Sequence, residues 1–187
     1  MTAALELPRR RFLAAEVLQM VEHGILREDE PLELLNGELI FVSPQGPAHA
    51  SRIMALQELL SQLYAPVGKV RVQLPLAAGD DSLPEPDLAV VRGGAADYVE
   101  RHPSGADTLL VVEVAKTSLA VDRAKASIYA RAGVQTYLLL DLTSSIVEVR
   151  ERPLNTGDFE SVRILGTQDA LELPNGHRIS VAALFQS

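Results

Sequence analysis

A chain of 187 residues, 47% apolar and 22% charged, is long enough to bury a sizeable core and is too apolar to be largely disordered. Its formal net charge of −8 excludes a broadly basic, non-specific nucleic-acid binder, while a local basic groove or an acidic metal site stays open. With no cysteine there is no disulfide framework, thiolate metal site or thiol nucleophile, and apolar runs such as LLVV and YLLL fall far short of the roughly 18 residues that cross a bilayer.

In the N-terminal stretch MTAALELPRRRF the basic cluster follows the apolar residues and no h-region comes after it. No secretory signal is expected, and the simplest location is cytoplasmic. Residues 8–23 space Phe12, Leu13, Val17, Met20 and Val21 as a helix, with Gly24 as its stop. PLELLNGELIFV (31–42) places two short runs around Asn36-Gly37, a strong hairpin signal. Pro44, Gly46 and Pro47 then break the chain. Residues 48–64 put Ile53, Leu56, Leu60 and Leu63 on one face of an amphipathic helix. KVRVQLPL alternates as a strand, GDDSLPEP is a loop, DLAVV is a short buried strand, and residues 93–107 form a polar connection with a helical turn. TLLVVEV (108–114) is a near-continuous apolar run, as a strand covered on both faces requires.

A helix over 119–132 follows, with Ser118 as N-cap and Gly133 closing its C-terminus. TYLLLDL and SIVEVRER read as a hairpin across Thr143-Ser144, and the last 40 residues carry weaker strand signals before a closing VAALF. The order predicts a mixed sheet flanked by helices in one α/β (α+β) domain over residues 1–187, with 1–30 as an N-terminal helical arm.

Two of the three lysines, Lys116 and Lys125, follow the acid Glu113, which itself interrupts an apolar strand. Asp87 opens a strand directly after Pro86. If the strands of Asp87 and Glu113 are neighbours, both carboxylates lie at one rim of the sheet. Two carboxylates that close repel one another, and a hard cation such as Mg²⁺ relieves them. Alternation along the strand sets Glu113 and Ala115 on one face and points Lys116 away. On the helix, Asp122, Lys125 and Tyr129 form a single stripe that can return to the strand end. Lys125 is the better partner for a water or phosphate, with Lys116 as the fallback. The plainer alternative makes Asp122 and Lys125 an ordinary surface pair, although Glu113 inside LLVVEVA still needs a buried partner.

These segments resemble a known family. LPEPDLAVV, LLVVEVAKTSLAVDRAK and SIYARAGVQTYLLLD, preceded by LELLNGELIFVSPQGPAHASRI, are similar to the Uma-type restriction-endonuclease family of the PD-(D/E)xK nuclease superfamily. The resemblance spans residues 30–185 and implies a restriction endonuclease-like fold, with a central four- or five-stranded mixed sheet flanked by helices. It further implies Mg²⁺- or Mn²⁺-dependent hydrolysis of DNA phosphodiesters by a bacterial protein. By the same resemblance, Asp87 and Glu113 would ligate metal, Glu33 would complete the metal site, and Lys125 would orient the attacking water.

His49 matches the family's histidine at a helix start, although a cap or surface role is commoner. The position two after Glu113, where a superfamily lysine often lies, is Ala115, and the chain departs from the family pattern in two places: the helix aspartate sits three residues before the lysine (Asp122 to Lys125), and Lys116 replaces the usual serine. Asp122, three residues before Lys125, is a supporting residue. Tyr129 and Tyr137 read as core-edge aromatics, and Arg9, Arg10 and Arg11 as a solvated helix start. DNA is the expected partner and a homodimer or higher homo-oligomer the expected assembly, since cutting a duplex needs two sites. The second hypothesis is a catalytically inactive nuclease-fold module for nucleic-acid binding or protein association.

Overall fold

The computed structural model describes residues 9–42 and 45–186 of the chain. Residues 1–8 of the expected arm and the expected break at Pro44 lie outside the described residues. The first helix, α1 (Ala14–Glu22), starts later than its periodicity predicts. Residues 9–13 stay outside the helix, with Leu13 extended, and tertiary bonds hold the backbone there: the Phe12 amide donates to the Gly37 carbonyl and the Ala14 amide to the Asp80 carbonyl. The expected hairpin forms as β1 (Leu32–Leu35) and β2 (Glu38–Phe41), with Asn36 and Gly37 both at positive φ (50° and 77°). That combination fits a type I′ turn.

Helix α2 (Pro47–Tyr64) follows, then β3 (Lys69–Val72), β4 (Leu88–Val91), β5 (Thr108–Ala115), α3 (Leu119–Ala132), β6 (Thr136–Asp141) and β7 (Ile146–Pro153). Two single-turn 3₁₀ helices occupy the 93–107 connection. Strand β3 stops short of the predicted KVRVQLPL because Gln73 turns to φ 49° beside the Asp87 segment. The weak C-terminal signal resolves into β8 (Phe159–Gly166), β9 (Ala170–Glu172), β10 (Arg178–Ser180) and a closing 3₁₀ turn.

The central sheet is six-stranded, in the order β3-β4-β5-β6-β7-β8, so it exceeds the four or five strands expected. Every neighbouring pair is antiparallel except β5 and β6, which run parallel with α3 as their crossover. A helical crossover is the ordinary way to join parallel neighbours. Alternation along β5 decides which layer each residue meets. Leu110, Val112 and Val114 pack with Ile53, Leu56, Leu60 and Tyr64 of α2, whereas Val111 and Ala115 pack toward Ala126, Tyr129 and Ala130 of α3. Glu113 belongs to this second face, so period two aims an acid at a helix. A smaller cluster of Val17, Leu34 and Leu83 joins α1 and the hairpin to the body of the domain.

Helix α3 is seated closely at its end. Gly105 packs against the Ala132 carbonyl, and a Cβ there would collide with that oxygen. Gly105→Ala is expected to destabilise the protein by about 1–3 kcal/mol through overpacking, measured as a shift of the urea midpoint.

Candidate active site

The pairing Leu88↔Val112 sets the start of β4 beside the end of β5, as the sequence reading required. Backbone amides then cross-tie the two acids. The Asp87 amide donates to Glu113 Oε2 (3.1 Å), and the Val114 amide donates to Asp87 Oδ2 (2.8 Å). Each carboxylate is thus held by the strand that carries the other. Glu113 is 2% exposed and Asp87 8%.

Lys125 reaches this rim from α3 and is 5% exposed. Its Nζ donates to Glu113 Oε1 (3.3 Å) and to Glu33 Oε1 (3.0 Å). Glu33 Oε2 lies 2.8 Å from the same ammonium in an ion-pair contact without hydrogen-bond geometry. The surface-pair alternative for Asp122 and Lys125 does not hold, because both side chains are buried. Asp122 instead accepts from the Ser118 hydroxyl (2.5 Å). Ser118 does sit at the N-cap, yet its side chain caps no backbone amide.

Glu33 faces Lys125 and accepts from the ammonium through Oε1, with Oε2 left without a hydrogen bond. Among the described residues, no group of three or more His, Cys, Asp or Glu side chains is set to hold a metal ion. The two carboxylates at the strand rim are Asp87 and Glu113. Mg²⁺ commonly takes one or two carboxylates and keeps several waters, so a two-carboxylate set fits it.

Three further side chains meet Asp87. His49 Nε2 lies 3.1 Å from Oδ2, and the amides of Gln45 and Gln73 donate to Oδ1 at 3.2 and 3.4 Å. The two amide bonds are long and end on flexible side chains, so a cation at Asp87 could displace them at small cost. Gln45 and Gln73 carried no signal in the sequence. Lys116 is exposed at the mouth of the cleft. The cleft encloses ≈ 830 Å³, and its lining includes Glu85, Phe41 and Val121.

The electrostatics follow from burial. Desolvation raises the Glu113 pKa, and Asp87 and Asp122 add to the effect, while Lys125 and the Tyr129 hydroxyl oppose it. Desolvation likewise raises Glu33, Glu85 and Asp122. For Lys125, burial acts to lower the pKa, but Glu113 and Glu33 outweigh it and hold it above the usual lysine value. The ammonium therefore stays charged across the neutral range. All three contacts of Glu113, from Asp87, Lys125 and Tyr129, are donors, and these suit the ionised carboxylate.

The Uma2 family, described as "Putative restriction endonuclease", matches residues 14–183. The chain belongs to this family. A crystal structure described as a putative nuclease belonging to DUF820, from Anabaena variabilis ATCC 29413, superposes with a TM-score of 0.71 at 18% identity. The match covers 89% of this chain and 96% of that one, and the two share a fold. No curated protein sequence matches significantly. Among the described residues of this Uma2 chain, no helix is long and apolar enough to cross a membrane.

Removing Lys125 would leave Glu33 and Glu113 without their cation. Both acids already have folded-state pKa values above their ordinary ones, and the loss raises them further. A raised acid binds more protons folded than unfolded, so its cost is absent below about pH 4.5 and grows as pH rises through the folded value. Lys125→Ala in chelator is expected to lose about 3–5 kcal/mol at pH 8 and clearly less at pH 5, measured by urea unfolding at both pH values.

Proposed function

We propose that this chain is a divalent-metal-dependent endonuclease that hydrolyses DNA phosphodiester bonds at the β4–β5 rim. The observation that carries this reading is the pair of cross-tied carboxylates, Asp87 and Glu113, next to a buried ammonium. Asp87 and Glu113 would hold Mg²⁺ or Mn²⁺, which when bound supplies Lewis-acid stabilisation of phosphate charge and a more acidic water. Lys125, kept cationic by Glu33 and Glu113, holds an attacking water or opposes the negative charge that grows on the phosphate. His49 and the two glutamines orient the Asp87 carboxylate. Lys116, exposed at the cleft mouth, serves a flanking phosphate. Cleavage of both strands would call for two copies of the chain, each offering one site.

A second reading, a nuclease-fold module that binds without cutting, draws on one observation. Both Asp87 oxygens already have donors, so that carboxylate is satisfied without a metal.

Plasmid and single-stranded DNA incubated with Mg²⁺ or Mn²⁺ separate the two. The nuclease reading expects metal-dependent cutting that Glu113→Gln and Lys125→Ala each reduce by roughly 10²-fold or more in variants shown to be folded. Lys116→Ala should raise KM and leave kcat nearly unchanged. No cutting on either substrate, with no metal-dependent rise in Tm, would favour the binding module.

A further inference from the structure

A lysine fixed on the strand two residues after the acid would be held by β5 itself. That position is Ala115, which has no exposed surface and is packed under α3. Lys125 comes instead from a separate helix on a flexible four-carbon stem. It also has a competing partner: Glu33 lies at 2.8–3.0 Å from Nζ, and Glu113 at 3.3 Å. Something other than the strand must fix the acid and the helix relative to each other.

We propose that Tyr129 and Tyr137 are positioning residues that register α3 over β5, so that Lys125 and Glu113 meet in the geometry hydrolysis needs. Tyr129, one helical turn after Lys125, donates its hydroxyl to Glu113 Oε1 at 2.7 Å. Tyr137, on the parallel neighbour β6 and opposite Val111, donates its hydroxyl to the Asp122 carbonyl at 2.8 Å. One bond ties helix to acid, and the other ties sheet to the first turn of the helix. The rings lie 5.1 Å apart at 46°, and neither residue is exposed, so the two anchors brace each other.

The Tyr129 bond also sets the rotamer of Glu113. With Oε1 bound by the phenol, Oε2 stays on the Asp87 amide, and the carboxylate keeps one oxygen toward Lys125. Without the phenol, the longer contact to Glu113 competes poorly with Glu33. Burial keeps both phenols protonated far above neutral pH, so they remain donors. This role rests on the nuclease reading for its purpose, while the geometry it describes is independent of turnover.

Tyr129→Phe preserves the ring and removes only the bond. Three readouts are compared with wild type: cleavage kinetics, the Mn²⁺ concentration that half-saturates a calorimetric titration without DNA, and the ammonium NMR signal of Lys125. The expected result is a kcat loss of about tenfold or more with KM for DNA within about twofold, since one hydrogen bond to a charged group is lost. Half-saturating Mn²⁺ should rise about tenfold, and the protected Lys125 ammonium signal should weaken or shift. Tyr137→Phe should move the same readouts in the same direction by less.

Ile128→Val, a core change on the same helix, should lower Tm and leave all three readouts alone. Tyr129→Phe with wild-type Mn²⁺ binding and an unchanged Lys125 signal would overturn the assignment. If wild type cuts no nucleic acid, the nuclease reading falls, and the Lys125 signal still decides whether the tyrosines position the pair.

Discussion

The Lys125 ammonium is the contact on which the site depends. It is a buried cation shared by two buried carboxylates, Glu33 from the hairpin and Glu113 from the central sheet. A buried ion pair is a weak source of stability, because desolvation consumes most of what attraction returns. Well-packed apolar side chains in the same volume would serve the fold as well or better. What the arrangement does provide is a lasting positive charge next to an acid that the backbone already grips.

Around that charge the domain divides its labour. The apolar layers of the six-stranded sheet, with α2 on one face and α3 on the other, supply the burial that drives folding. The rim where β4 begins and β5 ends collects acids whose pKa values burial raises, a local cost that the core must carry. Such concentrations of perturbed groups in a cleft are common at functional sites. Positive φ at Gln73, a non-glycine residue whose amide side chain points at Asp87, marks the same rim with backbone strain.

Much of this was legible in the sequence. Strand β5 and helix α3 could be read from an apolar run, a helical stripe and a closing glycine, while alternation and spacing left the neighbourhood of Asp87, Glu113 and Lys125 conditional on strand order and the family resemblance supplied it. Local patterns failed where long-range backbone bonds decided the outcome. Residues 9–13 have a helical pattern but lie outside the helix, where the Gly37 carbonyl takes the Phe12 amide and the Asp80 carbonyl takes that of Ala14. Strand β8 was faint because Val162 and Ile164 remain exposed, so its alternation does not separate inside from outside. The amides on Asp87 come from segments far apart in sequence, and no residue pattern announces such a convergence.

The hairpin's attachment has a kinetic consequence. Its ion pair to α3 joins residues 92 positions apart, while its own β1–β2 pairing is purely local. Closing so long a loop is entropically slow, and Glu33 cannot find its partner until β5 and α3 have assembled. That long-range ion pair is therefore expected to form late and to open early, with the hairpin's amides exchanging hydrogen ahead of those in the central strands. Access to the buried charge becomes a matter of timing as well as of shape.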